Sequence, residues 1–123
     1  MTETDLMNAV MLAATAKDCV IFRTNVGKVR MADGRWFDTG LPRGHADLYG
    51  VKRDGKVFYI ETKLKPRKPT LEQCAFLLRM IDQGACAGVA YSVEEAMRII
   101  RWYDVDQEFH ISRLKKEFTK HEL

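Results

Sequence analysis

Asp47, Glu61 and Lys63 are the residues whose types and spacing suit bond-breaking chemistry. They lie in Gly44–Lys63, GHADLYGVKRDGKVFYIETK, which reads as two short β-strands joined by a turn. The first strand, Ala46–Tyr49, carries Asp47, and Asp54-Gly55 is a hairpin signal. The second strand, Val57–Lys63, is rich in β-formers. Side chains alternate along a strand, so Tyr59, Glu61 and Lys63 share one face and Phe58, Ile60 and Thr62 the other. A Glu and a Lys at the end of an apolar strand are costly unless something uses them. Asp47 precedes Glu61 by 14 positions, a separation that a hairpin can close. Two carboxylates supply the hard oxygen ligands that Mg²⁺ takes, leaving its other octahedral positions to water and phosphate. Such an ion stabilises charge on a phosphodiester and lowers the pKa of a bound water. Lys63, on the face of Glu61, could orient that water or neutralise developing charge.

With its surroundings, this constellation resembles the PD-(D/E)xK nuclease superfamily. Within it, the match is to the virus-type replication-repair nuclease (VRR-NUC) branch, of stand-alone phage or prophage type. Beyond Asp47, Glu61 and Lys63, the matching residues are Glu3 in an opening helix, Arg23 and Asn25 with Gly27, Gly44 before the Asp, and Gln73 in the following helix. The resemblance spans roughly Thr2 to Ile100. The three-residue core alone recurs by chance; the ordered set with Arg-x-Asn-x-Gly and Gln73 is far more specific. Ala46 stands where the family carries a Pro, a position without a chemical role. The resemblance implies Mg²⁺-dependent hydrolysis of DNA phosphodiesters, with Mn²⁺ as a substitute. Asp47 and Glu61 would hold the metal, with the Thr62 backbone carbonyl as a further ligand. Lys63 would position or activate water, and Gln73 and Glu3 would support the site. Relatives of this type act in replication, recombination or repair, some on branched DNA such as four-way (Holliday) junctions. Other readings stay open: a nonspecific nicking or restriction-type nuclease, or a non-catalytic DNA-binding module. The intact Asp, Glu and Lys weigh against the last.

Several elements must position these residues. Thr2 to Lys17 reads as an amphipathic helix with a Leu6, Val10, Ala13, Ala14 stripe, capped by Thr2 or Thr4. Glu3 lies in its first turn, where it complements the helix dipole or supports the metal. Val20–Arg23 is predicted as a strand, and Lys28–Met31 as another, turning at Asp33-Gly34 into Trp36-Phe37. Arg23 and Asn25 would contact a phosphate or hold a carboxylate; otherwise they are a strand-end ion pair and a turn Asn. Asp38 to His45 is a loop. After Lys63, two prolines make a rigid basic connector, Leu64–Pro69. A helix follows from Thr70 to about Gln83, and Gly84 ends it. Thr70-x-x-Gln73 matches a capping box, so Gln73 has a structural role open to it beside the functional one. Ala87–Tyr91 reads as a buried strand, and Ser92 caps a further helix. The expected order is α-β-β-β-α-β-α: an α/β, restriction-endonuclease-like core with a mixed central sheet flanked by helices.

At 123 residues the chain suits a single nuclease domain, with its core over about 2–101 and a helical or flexible extension over 102–123. Cys19, Cys74 and Cys86 are odd in number and lie in mainly apolar stretches, as buried thiols of a reducing compartment do. No apolar run approaches a membrane span and no signal peptide opens the chain, so a bacterial or phage-infected cytoplasm is expected. Val51–Pro69 holds seven lysines or arginines against two acids, a larger excess than the whole chain's +3. Nucleic acid is the natural partner of such a run, with Lys65, Arg67 and Lys68 as phosphate contacts; the other reading is a solvated loop. One such site cuts one strand, whereas resolving a four-way junction takes two cuts, so a two-fold homodimer is expected. Trp36, Phe37, Trp102, Tyr103 and Phe109 are apolar residues that a small core need not cover, although ordinary packing accounts for each as well.

Overall fold

The computed structural model describes residues 1–24, 28–38 and 40–122. Asn25 and Gly27, singled out above, lie outside them. Four strands form the central sheet: β1 (Val20–Arg23), β4 (Leu48–Val51), β5 (Val57–Thr62) and β6 (Cys86–Ala90), in the order β1-β4-β5-β6. The β1/β4 and β4/β5 pairs are antiparallel and β5/β6 is parallel, so the sheet is mixed. Two further strands, β2 (Lys28–Arg30) and β3 (Trp36–Asp38), pair with each other, and among the described residues with no other strand, as a separate hairpin.

Helices α1 (Glu3–Ala16) and α3 (Val93–Arg101) cover one face of the sheet. Leu6, Val10 and Ala14 of α1 pack there with Leu48, Phe58, Ile60 and Ile99. Helices α2 (Leu71–Asp82) and α4 (Asp104–Glu122) cover the other face, where Cys74, Leu77, Ala87, Val89 and Leu114 meet. The all-apolar β6 is buried on both faces because a helix lies on each. Thr2 caps α1 and Thr70 caps α2, each through a reciprocal capping box. The architecture is the mixed α/β sheet with flanking helices that the sequence predicts.

The chain beyond residue 101 is a packed helix rather than a tail. Trp102 takes a left-handed conformation (φ 54°) at the end of α3 and turns the chain into α4. Asp106, fully buried, accepts hydrogen bonds from Arg98 Nε (2.9 Å), Arg101 Nε (2.8 Å) and Nη2 (2.7 Å), and the Tyr103 amide (2.9 Å). Those donors hold its carboxyl well below the usual carboxylate range. Farther along α4, Glu117 faces Lys68 at 3.9 Å, and His121 Nε2 lies 3.1 Å from the Pro69 carbonyl. The helix therefore docks onto the basic connector. Trp102 belongs to the core, correcting its place among the residues a small core need not cover. Phe109 is half-buried beneath the guanidinium groups of Arg98 and Arg113, while Tyr103 and Trp36 remain exposed. All three cysteines are free and buried, and among the described residues no helix is long and apolar enough to cross a membrane.

Candidate active site

The β4–β5 hairpin sets the site through its register. Gly55 takes φ 88° in the turn, and Lys52 N donates to Lys56 O at 2.8 Å, so the strands leave the turn in step. Leu48 then pairs with Ile60, which carries Asp47 opposite Glu61. Asp47 stands just before β4, not inside it as the sequence suggested. Its carbonyl accepts from Thr24 N at 2.9 Å, so the end of β1 holds it in line.

The two carboxylates are tied together through backbone and side chain. Asp47 N donates to Glu61 Oε1 at 3.2 Å. Asp47 Oδ2 accepts from Thr62 N at 3.2 Å and from Thr62 Oγ1 at 3.0 Å. Lys63 Nζ lies 3.7 Å from Glu61 Oε2, with both side chains buried. Lys63 extends the sheet beyond β5, since its amide donates to Ala90 O at 3.1 Å. Burial, and then the charge of Asp47, push the Glu61 carboxyl up to about 8, against the opposing pull of Lys63. Glu61 would ionise at neutral pH only with more positive charge than Lys63 supplies. Asp47 and Glu61 are hard oxygen donors, so the site fits a divalent cation. Among the described residues no group of three or more His, Cys, Asp or Glu is placed to hold a metal ion. The carbonyl of Thr62, the residue that bonds Asp47, is the backbone candidate.

Gln73 arrives from the first turn of α2. Its Nε2 donates to Glu61 Oε2 at 3.1 Å. Gly44 allows this approach: a Cβ there would run into the Glu72 carbonyl, so only glycine lets the loop before Asp47 lie against α2. Glu3 reaches a different partner, Arg67, whose Nη1 donates to Glu3 Oε2 at 2.7 Å. Arg67 is in turn positioned by Tyr91, whose hydroxyl donates to its carbonyl at 2.8 Å. Lys65, Arg67 and Lys68 are exposed on the connector that leaves Lys63. Arg23 is exposed at the end of β1, opposite Leu48.

Sequence reasoning missed two residues here. Thr62 contributes its hydroxyl as well as its backbone, anchoring Asp47; its place on the face opposite Glu61 hid that role. His45 lies in an aromatic group with Tyr49, Tyr59 and Phe76, its ring 4.6 Å from that of Phe76. Its position two before Asp47 was the available signal.

A solved structure described as "VRR_NUC domain" is similar to this chain, with a TM-score of 0.60 over 82% of this chain and 96% of the other. The two are 20% identical in sequence. The chain therefore has the fold of a VRR-NUC domain. No family model matches the sequence, and no curated protein matches it either.

Proposed function

We propose that this chain is a metal-dependent DNA endonuclease of the PD-(D/E)xK type. The observation that carries the reading is the Asp47–Glu61–Lys63 cluster, with Glu61 and Lys63 buried and Gln73 bonded to Glu61. The VRR-NUC fold supports it, because such a domain is named for nuclease activity. Asp47 and Glu61 would hold Mg²⁺, or Mn²⁺ in its place, with the Thr62 carbonyl as a third protein ligand. Bound there, the ion supplies Lewis acidity and a water of lowered pKa. Thr62 fixes the rotamer of Asp47, and Gln73 fixes that of Glu61. Lys63 orients the attacking water and offsets negative charge as the phosphodiester passes through its transition state. Lys65, Arg67 and Lys68 follow directly in the chain and draw in the phosphate backbone. Glu3 acts through Arg67, holding that guanidinium on the connector.

Branched DNA is the proposed substrate, and a two-fold homodimer the proposed assembly, because a four-way junction demands two matched cuts. Val20, Phe22 and Val51 remain exposed along β1 and β4, and support a surface that a second copy covers. The test is cleavage with Mg²⁺ of linear duplex, single strand, flap and four-way junction, with light scattering over a concentration series. Cleavage of none of them removes the nuclease. A strict monomer that cuts linear duplex as readily as junction removes junction resolution.

A further inference from the structure

The β2–β3 hairpin presents an exposed tip. Every side chain from Arg30 to Trp36 is exposed, and Arg30 and Trp36 are directly paired across its strands. An isolated two-stranded hairpin is marginal in water, and this one stands apart from the four-stranded sheet among the described residues. This one has internal bracing. Met31 N donates to Arg35 O at 2.6 Å, Gly34 turns the tip at φ 89°, and Arg35 Nε grips Asp33 Oδ2 at 2.7 Å. The Arg30 guanidinium lies 5.8 Å from the centre of the Trp36 ring, which is 63% exposed. A tryptophan left in water with a cation over its face is a ready stacking platform.

The hairpin is rooted at the candidate active site. It leaves the chain after Thr24, whose amide and hydroxyl bond the carbonyls of Asp47 (2.9 Å) and Ala46 (2.5 Å). It returns just before His45 and Asp47. Residues 28–38 carry Lys28, Arg30 and Arg35 against Asp33 and Asp38, Arg35 neutralises Asp33, and Arg23 and Arg43 flank the hairpin. The segment is thus a cationic arm with an exposed aromatic ring, and both its ends attach beside the carboxylate pair. A strand rises about 3.3 Å per residue, so an arm of this length reaches roughly 15–20 Å, several nucleotides along a bound strand.

We infer that the β2–β3 hairpin is a nucleic-acid-binding arm on which Trp36 stacks an unpaired base at a branch point, with Arg30 on a flanking phosphate. The inference rests on the DNA reading of the site and narrows its substrate to DNA with unstacked bases. Charge complementarity favours nucleic acid over a second copy of this chain, because two cationic arms repel.

The experiment compares wild type, Trp36→Ala and Trp36→Phe, with Ca²⁺ replacing Mg²⁺ during binding. Labelled four-way junction and linear duplex of equal length are titrated. Trp36→Ala is expected to weaken junction binding roughly tenfold or more, the size of one base–aromatic stack, and linear-duplex binding less than about twofold. Trp36→Phe should recover most of the loss. The chain has two tryptophans, Trp36 exposed and Trp102 buried. Saturating junction should therefore quench wild-type emission and leave that of Trp36→Ala unchanged. Undiminished junction affinity in Trp36→Ala overturns the arm. So does a shift from dimer to monomer at unchanged affinity per dimer, which would make Trp36 an assembly contact. A wild type that binds and is quenched but cuts no DNA keeps the arm and loses the nuclease. A Trp36→Ala protein that binds and cuts junctions like wild type keeps the nuclease and loses the arm.

Discussion

The side chain of Gln73 bonds Glu61 and caps its own helix at once. Its Oε1 accepts from Thr70 N at 2.9 Å, and its Nε2 donates to Glu61 Oε2 at 3.1 Å. The cap orients the amide: an N–H at Thr70 requires the oxygen there, which turns the NH₂ toward the carboxylate. Two roles that compete on paper are thus one arrangement, in which the capping box aims the residue at the site.

This coupling gives a test that separates cap from site. Gln73→Glu preserves the capping box and places a carboxylate against Glu61. Gln73→Ala removes both contacts and costs the helix about 1 kcal/mol. We expect Gln73→Glu to lose stability relative to wild type as pH rises, since two adjoining buried carboxylates cannot both ionise cheaply. Gln73→Ala should show a loss nearly independent of pH. Melting temperatures from pH 5 to 9 check this, and parallel curves for the two variants would mean that Gln73 only caps.

Asp47→Ala, Glu61→Ala and Lys63→Ala should each reduce cleavage by about a hundredfold or more, because each removes a metal ligand or a charge used in the transition state. The fold should survive. Asp47 and Glu61 oppose each other's ionisation in the metal-free site, where Glu61 stays protonated up to about pH 8, so removing either carboxylate relieves that conflict. Single-turnover cleavage and circular dichroism measure the two halves. Chelation should stop the wild type, and added Mn²⁺ should restore it. Wild-type rates in any folded variant would sink the assignment.

The connector should act on affinity rather than chemistry. Lys65→Ala, Arg67→Ala and Lys68→Ala together should weaken DNA binding whatever the sequence, and shallow the salt dependence by about one unit per lost phosphate contact. Two of these cations are paired, Arg67 with Glu3 and Lys68 with Glu117, so the loss should be uneven. Arg67→Ala also releases Glu3, whereas Lys65→Ala disturbs no ion pair among the described residues. Affinity measured against salt for the single and triple variants would expose a connector that is only a solvated loop.

How much of this was legible in the sequence follows from which signals are local. The Asp47–Glu61 pairing was readable because Asp54-Gly55 marks a short turn, in which a left-handed Gly55 keeps the hairpin tight. The α2 cap was readable from Thr70 and Gln73, three residues apart. Helix α4 was not, since its inward face carries Asp106, His110, Leu114 and Glu117, and three of those four are polar. A hydrophobic pattern cannot report a face held by ion pairs with Arg98, Arg101 and Lys68, residues supplied by other elements. Thr62 was hidden for a related reason. Strand alternation assigns faces, but Asp47 at the strand end reaches a hydroxyl that alternation places away from it.

Glu61 and His110 should impose opposite pH dependences on the stability of the metal-free protein. Glu61 has its pKa raised from 4.5 to about 8. Between those values the folded protein holds a proton that the unfolded chain has lost. The stability it contributes is therefore complete below pH 4.5 and is lost as pH rises through 8. His110 is buried beneath Trp102 and Phe109, and its ring nitrogens have no hydrogen-bond partner among the described residues. It packs over Gly88, where a Cβ would come within 2.8 Å of Nδ1. Arg98, Arg113, Glu95 and Asp106 are the charges around it. Burial first, then Arg113, lowers its pKa from 6.5 to about 4. Here the unfolded chain holds the extra proton, so stability is complete above pH 6.5 and is lost as pH falls through 4. Between about pH 4.5 and 6.5 the two slopes oppose, each at most ~1.4 kcal/mol per pH unit. Wild type should therefore show a flat region there. Glu61→Gln should unmask a rise in stability with pH, and adding His110→Leu should remove that rise again. Urea midpoints from pH 4 to 9, with chelator present, provide the measurement. A Glu61→Gln profile that matches wild type across the whole range would show that Glu61 is ionised before any metal arrives, and that the site is not poised to exchange a proton for a cation.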